Sequence, residues 1–274
     1  FSWAACYYSF PSLLPHWQAE TGWSQGSLAL AFSLALLCSA FMAPVIGRLI
    51  DAGRARTVMV GGALNAVAAL AFLAEAQALW QLYVGWLWLA FSQAACLYEA
   101  GFALLTRRLA LEARGAITTV TLVAGFASTL AFPAGHLMVE HWGVDGALHG
   151  FALTMLLTAL IYHRACAGDQ AHPSLQQDEA TARPRLHRLL QQPLLLLLAL
   201  SFTMIALNHG ALIAHLLPLL HDRQVSVELA VIASSCIGPM QVVGRIGILA
   251  LGRRFDPARG TALALLLTLL AACC

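Results

Sequence analysis

The chain has 274 residues, of which 60% are hydrophobic and only 10% are charged. Soluble domains carry roughly a quarter charged residues, so this composition excludes a soluble globular protein. The formal net charge is only +2, and no basic stripe indicates nucleic acid as a partner. The seven cysteines are scattered without the spacing of a metal site, so we predict neither a metal nor a cofactor.

Apolar segments of about 20 residues, the length at which a helix crosses a bilayer, recur between short polar connections. Ser24 stands where the second of these helices is expected to have its N-cap. The predicted spans are a partial one at 1–14, complete ones at 27–50, 57–74, 79–105, 116–139, 147–162, 193–217 and 229–251, and a second partial one at the end of the chain.

Residues 167–192 interrupt this pattern because they are rich in Gln, Asp, His, Pro and Arg and poor in large apolar side chains. We interpret them as a cytoplasmic linker between two helix bundles. Residues 1–166 then form an N-terminal six-helix bundle with an incomplete first helix, and 193–274 begin a C-terminal bundle. The sequence predicts an all-α polytopic membrane protein in which both chain ends cut through helices.

Arginines concentrate in every second connection between the predicted spans. Cytoplasmic loops retain Arg and Lys during insertion, so these connections, and the N-terminus with them, are predicted to be cytoplasmic. We therefore expect a multi-pass protein of a bacterial-type inner membrane. Four tryptophans that we interpret as interface anchors stand at the opposite, outer ends of the spans: Trp17, Trp23, Trp80 and Trp142.

The connection after the second span contains Gly47, Arg48, Asp51, Arg54 and Arg56. This order of glycine, acidic residue and arginines resembles the loop signature of the major facilitator superfamily. The resemblance implies two six-helix bundles and transport by alternating access. It also implies that the glycine lets two helices approach closely and that the acidic residue joins a charge network at a cytoplasmic gate. An ordinary cytoplasmic loop would explain the arginines alone.

The connection after the eighth span repeats this order with Gly247, Arg253 and Arg254. Gly247 lies 200 residues beyond the corresponding glycine of the first copy, as two six-helix halves joined by a linker would give. Leu251 stands at the position of Asp51, so the second network is expected either to be weaker or to use Asp256. The resemblance covers the chain as the first nine of twelve spans.

The second span also has features of one branch of the superfamily. Gly22-Trp23-Ser24 precedes it, and Ala43-Pro44 lies near its end. This stretch resembles the second helix of the monocarboxylate and oxalate/formate branch. That resemblance implies transport of small organic anions, together with a proton or by exchange.

Glu99 lies in the fourth predicted span, about two turns before Arg107 and roughly 12 Å into the membrane at 1.5 Å per residue. Burying a charge there costs at least about 2.5–3.5 kcal/mol, so the carboxyl is expected to be protonated or paired. A protonated carboxyl suits proton coupling, whereas a paired one ties the fourth helix to a neighbour. The sequence leaves both roles open.

Polar residues in the seventh and eighth spans are the other substrate candidates. Gln241 and Arg245 stand one turn apart and face the same side of a helix. An arginine fork can bind a carboxylate, although Arg245 also fits the gate. Asn208 and His209 lie near the middle of the seventh span beside Gly210, where a broken helix would present polar groups. His209 either relays protons or packs in a polar pocket.

These observations predict a secondary active transporter of a small solute, namely a small organic anion such as a monocarboxylate, with proton coupling or exchange. We expect a monomer whose partners are the substrate, protons or a counter-substrate, and lipid. A membrane enzyme is disfavoured because no catalytic motif is found. A sensor or receptor would carry a sizeable soluble output domain, and an inactive fragment of a longer transporter is a further alternative.

The orientation can be tested by labelling single cysteines with an impermeant thiol reagent in whole cells. A cysteine at Asp145, in the predicted outer connection 140–146, should react in intact cells. A cysteine in the linker 167–192 should react only after permeabilisation and is the control. Labelling at Asp145 only after permeabilisation would contradict the orientation.

Overall fold

The computed structural model describes residues 1–168, 191–251 and 266. These residues are helical, with no strand among them, which confirms the predicted all-α fold. A π-helical segment, Ala4–Tyr8, precedes the first α-helix. The α-helices are α1 (Ser9–Thr21), α2 (Gln25–Leu49), α3 (Ala55–Ala74), α4 (Leu79–Cys96), α5 (Tyr98–Leu109), α6 (Ala113–Ala124), α7 (Ala127–Ala165), α8 (Pro193–Asp222), α9 (Val227–Ser235) and α10 (Ile237–Leu251).

Local signals explain where several helices begin and end. The Oγ of Ser24 accepts a hydrogen bond from the backbone N–H of Ser27 at 3.2 Å, which confirms Ser24 as the N-cap of α2. Ser226 caps α9 in the same way. Gly22 ends α1 with a left-handed backbone (φ +69°), a conformation that glycine adopts without steric cost.

Two glycines with positive φ reverse the chain between neighbouring spans. Gly53 (φ +82°) lies in the turn Ile50–Arg54 between α2 and α3. Gly143 (φ +71°) divides α7 into two legs, which correspond to the fifth and sixth predicted spans. The legs fold back on each other, since a side chain added at Gly150 would contact the sulfur of Met138.

The interruptions within spans differ from those expected. The fourth span divides at Leu97, whose backbone is extended between α4 and α5. The fifth span divides where α6 ends at Ala124 and α7 begins at Ala127. The sequence leaves open a broken or a flexible helix beside Gly210; the seventh span is one continuous helix, so a break there is wrong. One glycine costs a helix only about 1 kcal/mol, and a break in lipid would leave backbone groups without partners.

Helix packing is most extensive where α3 contacts α7 and α4, and where α2 contacts α4. Small residues line these contacts: a Cβ added at Gly62 of α3 would lie against the side chains of Ala95 and Cys96. Helices in lipid associate largely through close van der Waals contact, which such residues permit. The absence of a side chain at Gly62 therefore determines how closely α3 and α4 approach each other.

An aromatic cluster fills the core between the first span and α4. The rings of Phe10 and Phe32 stack at 4.4 Å, and the ring of Trp86 meets both edge-on. Trp17 packs against the same cluster and is only 5% exposed, so its assignment as an interface anchor is wrong. Among the other predicted anchors, Trp80 and Trp142 are exposed and Trp23 is partly buried.

The outer surface of the helices is apolar. Four helical stretches of the described chain are long and apolar enough to cross a membrane: Gln25–Ala74, Leu79–Ala165, Pro193–Ile213 and Val227–Gly247. The first two of these contain the chain reversals described above. Large hydrophobic side chains such as Phe41 and Leu130 are exposed on them, as in a multi-pass membrane protein.

The two ends of the helices differ in charge. We call the end that carries the turn Ile50–Arg54 and the segment Ala110–Glu112 the arginine-rich end, and the opposite end the arginine-poor end. Helix α7 ends at Ala165 and α8 begins at Pro193. Most of the predicted linker between them lies outside the described residues, and the division into two bundles stays a prediction.

A pair of neighbouring glycines tests the packing of α3 on α4. Gly62→Ala should lower the free energy of unfolding by about 1–3 kcal/mol, because the added methyl group forces α3 and α4 apart. Gly61→Ala is the matched control, since no described atom lies within 4 Å of a Cβ added there. It should stabilise the helix by about 0.5–1 kcal/mol. Equal melting temperatures for the two variants in one detergent would contradict this packing.

Candidate functional site

The centre of the site is the π-helical segment Ala4–Tyr8 at the start of the first span. A π-helical turn carries more residues than an α-helical turn and occurs frequently at functional sites. Here it contains Tyr7 and Tyr8, whose rings lie 5.3 Å apart. Gln241 and Ser128 lie beside the Tyr8 hydroxyl, and Tyr98 and Arg245 interact with it electrostatically.

Two of the substrate candidates therefore meet at Tyr8, both of them from α10. Gln241 and Arg245 are partly buried on the side of α10 that faces the first span. The guanidinium group of Arg245 also donates a hydrogen bond to the backbone carbonyl of Thr121 in α6. Arg245 thus connects the eighth span to the first and the fifth.

Glycines explain how α10 comes so close to the fifth span. A Cβ added at Gly238 would contact the carbonyl of Gly125 and the hydroxyls of Ser128 and Thr129. The hydroxyl of Thr129 donates a hydrogen bond of 3.1 Å to the carbonyl of Ser235. Residues without bulky side chains therefore let the two backbones meet beside the division between α6 and α7.

The candidates of the seventh span lie near this cluster but have no recorded contact with Gln241 or Arg245. Asn208 and His209 are partly buried in α8. Their neighbour Gly210 faces the first span, since a Cβ added there would lie 4.0 Å from the hydroxyl of Tyr7. This turn of α8 consequently borders the tyrosine pair.

Glu99 stands apart from the cluster, in the first turn of α5 directly after the break at Leu97. Its side chain is exposed, and no hydrogen bond or ion pair of its carboxylate is recorded within the described part of the chain. Aromatic rings connect this region with the centre. The ring of Tyr98 lies 4.6 Å from that of Trp3, which lies 5.1 Å from that of Tyr7.

A cavity of about 600 Å³ opens beside this aromatic row. The start of the first span, α5, α6 and the end of α7 line it with mainly apolar side chains, including Trp3, Tyr98, Phe102 and Tyr162. The hydroxyl of Tyr162 donates a hydrogen bond of 3.1 Å to the carbonyl of Cys96 at the break between α4 and α5. Cavities of this size suit small molecules.

At the arginine-rich end, Arg107 reaches from α5 to the turn between α2 and α3. Its Nη1 donates a hydrogen bond of 2.9 Å to the carbonyl of Ile50. Its Nη2 would lie 3.1 Å from a Cβ added at Gly53, so a side chain there would displace the guanidinium group. The sequence places Arg107 at the end of the fourth span, which gives the depth of Glu99 but does not predict this contact.

The other residues of the first motif have separate surroundings. Arg48 donates to the carbonyl of Pro44 in its own helix, and Nη2 of Arg56 lies 2.6 Å from Nε2 of His163 at the end of α7. Asp51 and Arg54 are exposed in the turn.

The close helix contact expected at the two motif glycines is not made within the described chain. No described atom lies within 4 Å of a Cβ added at Gly47 or Gly247. In the first motif, the glycine whose conformation matters is instead Gly53, because its φ is positive. Arg253 and Arg254 of the second motif lie outside the described residues.

Tyr8, Ser128 and Thr121 are the site residues that the sequence analysis missed. Tyr8 belongs to an apolar span whose pattern predicts no π-helical turn, and the other two are small polar residues in an apolar span. A search of the described residues found no group of three or more His, Cys, Asp or Glu that could hold a metal ion. The cluster is therefore one of hydrogen-bond donors and a single cation.

Comparison with known proteins agrees with the all-helical membrane fold. The family profile described as Major Facilitator Superfamily matches residues 1–274. Neither the curated proteins nor the solved structures gave a significant match. Members of the matched family are membrane transporters rather than enzymes. Because the match extends over all of these residues, the chain belongs to the major facilitator superfamily.

Proposed function

We propose that the protein is a secondary active transporter that moves a small organic anion, such as a monocarboxylate, by alternating access. The observation that carries the proposal is the meeting of Arg245, Gln241 and Tyr8 where the first, fifth and eighth spans contact one another. The arginine supplies a positive charge, and the amide and hydroxyl supply further hydrogen-bond donors. Together, this charge and these hydrogen-bond donors complement the negative charge and the two acceptor oxygens of a carboxylate.

The contacts of Arg245 favour a binding site in which its guanidinium group exchanges one hydrogen-bond acceptor for another. A guanidinium group within the membrane needs hydrogen-bond acceptors, and here the carbonyl of Thr121 is one of them. That carbonyl also accepts the backbone N–H of Gly125 at 3.0 Å. A carboxylate would bind the guanidinium group with two charge-assisted hydrogen bonds, which are stronger than a bond to a neutral carbonyl. An anion can therefore replace Thr121 without leaving the cation unpaired.

The turn between α2 and α3 has the features of a gate at the arginine-rich end. Arg107 ties α5 to the carbonyl of Ile50, and Arg56 ties α3 to His163. In the proposal, Asp51 and the surrounding arginines form a charge network that stabilises one of the two states of the transporter. Breaking and remaking such contacts is how packed helices move between two arrangements.

Glu99 is proposed to carry the coupling proton. Its position after the break at Leu97 puts the carboxyl group in the first turn of α5, where it is exposed and can exchange a proton with its surroundings. The carboxylate has no ion-pair partner in the described residues, which argues against the structural role that the sequence left open. His209, beside the tyrosine pair, is the second proton carrier in this proposal.

The proposed setting is a bacterial-type inner membrane with a cytoplasmic N-terminus, and the proposed working unit is a monomer. The orientation rests on the arginines at one end of the described helices. Residues 1–166 and 193–274 are proposed as parts of two bundles. Their contact along α6, α7, α9 and α10 is where alternating access would take place.

The first test measures the uptake of labelled formate, oxalate, lactate and pyruvate into proteoliposomes. Arg245→Gln should raise the apparent KM of the transported anion about 10- to 100-fold, because it removes a charged hydrogen-bond donor worth about 1.5–3 kcal/mol. Arg245→Lys should show a smaller loss, since it keeps the charge without the fork. The control is Arg223→Gln, in the exposed turn after α8. Unchanged KM values in Arg245→Gln would contradict the proposed site.

The second test separates proton coupling from substrate movement. Glu99→Gln should abolish uptake driven by a pH gradient, because Gln resembles a protonated carboxyl and cannot release a proton. Exchange of substrate across the membrane at equal pH should persist. The control is Glu112→Gln, which changes an exposed carboxyl group outside the site. Gln93→Glu cannot serve as a control, because Gln93 is buried. Normal proton-driven uptake in Glu99→Gln would remove Glu99 from the coupling mechanism.

A further inference from the structure

The cavity of about 600 Å³ beside the aromatic row is far larger than a formate, acetate or oxalate ion requires. Cavities of about 300–1,000 Å³ ordinarily enclose ligands with many more atoms than these. Among the described residues that line the cavity, no side chain is charged. The size and the lining therefore indicate a ligand, or a part of a ligand, that is bulky and apolar.

Three polar side chains in the wall of the cavity already have hydrogen-bond partners. The hydroxyls of Ser2 and Tyr162 lie 2.9 Å apart, and that of Tyr162 also donates to the carbonyl of Cys96. The hydroxyl of Thr119 donates a hydrogen bond of 3.0 Å to the carbonyl of Gly115. A ligand therefore gains little from new hydrogen bonds with these groups. It gains mainly because its apolar surface is removed from water.

Aromatic rings connect the wall of the cavity with the tyrosine pair. Tyr98 and Phe102 of α5 line the cavity, and their rings are nearly parallel with the centroids 5.1 Å apart. The ring of Trp3 lies 4.6 Å from that of Tyr98 and 6.4 Å from that of Tyr8. Offset-stacked and edge-on contacts between rings stabilise by more than their buried area alone. This lining therefore favours an aromatic group over an aliphatic chain.

The turn of chain at the division between α6 and α7 borders both the cavity and Arg245. Ala124 and Ala127 line the cavity. A Cβ added at Gly125, between them, would lie 3.4 Å from Nη1 of Arg245. Consecutive Cα atoms are only about 3.8 Å apart, so this one turn of backbone separates the guanidinium group from the cavity. A ring in the cavity and a carboxylate at the arginine can thus belong to one small molecule.

We propose that the transported anion is an aromatic monocarboxylate, whose ring occupies this cavity against Trp3, Tyr98 and Phe102 while its carboxylate binds Arg245. In this proposal, which rests on the proposed anion transport and narrows its substrate class, burial of the ring supplies affinity that a smaller carboxylate lacks. The charge of the arginine favours the anion over a neutral compound of the same shape. Size and charge are therefore selected by different parts of the site.

The test compares acetate, phenylacetate and neutral phenylacetamide as ligands of the protein in bilayer nanodiscs. Isothermal titration calorimetry gives the Kd of each compound, with protein-free nanodiscs as the blank. Phenylacetate should bind about 10- to 100-fold more tightly than acetate, because its ring is buried in the cavity. Phenylacetamide should bind about tenfold more weakly than phenylacetate, because hydrogen bonds to a charged group are the stronger ones.

A pair of glycines tests where the ring binds. Gly101 of α5 lines the cavity, and no described atom lies within 4 Å of a Cβ added there. Gly101→Leu should therefore fill part of the cavity and lower the preference for phenylacetate over acetate about tenfold. Gly115→Leu in α6 is the matched control, because Gly115 is exposed and a Cβ added there also has no described atom within 4 Å. It should leave the preference unchanged.

The possible results distinguish this substrate class from anion transport in general. If neither acetate nor phenylacetate binds, both proposals are contradicted. If acetate binds as tightly as phenylacetate, anion transport stands and the aromatic substrate is wrong. Equal affinities for phenylacetamide and phenylacetate would show that the cavity holds apolar molecules regardless of charge, as for a lipid chain, and would overturn the proposal. An unchanged preference in Gly101→Leu would overturn it as well.

Discussion

The contact between the fifth and eighth spans is the constraint on which the rest of the site depends. At Gly238 the backbone of α10 meets that of Gly125 with no side chain between them. This closeness brings Arg245 to the carbonyl of Thr121 and Gln241 to the hydroxyl of Tyr8. A larger residue at either glycine would move α10 outward and separate the arginine from its partners. The position of Arg245 therefore depends on two glycines, Gly125 and Gly238, which contribute no side-chain groups to the site.

Irregular backbone lies beside several of the candidate site residues in this structure. The π-helical segment carries the tyrosine pair, the break at Leu97 precedes Glu99, and the division after Ala124 lies beside the arginine. Departure from α-helical bonding is costly in lipid unless neighbouring groups satisfy the backbone. Tyr162, for example, donates to the carbonyl of Cys96 at the break. These irregularities are thus held in place by tertiary contacts.

Local properties of the sequence were sufficient for much of the fold. The length of apolar segments predicted the spans, Ser24 predicted a cap, and Gly247 and Asp51 helped to indicate the family. Contacts between segments far apart in the sequence were harder to predict, because they depend on which faces of the helices meet. Gly47 looked like the important glycine of its loop, yet the positive φ belongs to Gly53. Trp17 resembled an interface anchor until its packing against Phe10 and Trp86 was known.

The glycine contact at the middle of the fifth and eighth spans has a mechanical consequence. Contacts between these spans extend on both sides of it, from Arg245 toward one end to the bond between Thr129 and Ser235 toward the other. Two rods that touch most closely at one point rotate about that point as a fulcrum. A small rotation then leaves the middle almost fixed while it lengthens the separation at one end and shortens it at the other. The hydroxyl of Thr129 bonds the carbonyl of Ser235 beside the fulcrum, so this bond has to bend or break as the rods turn.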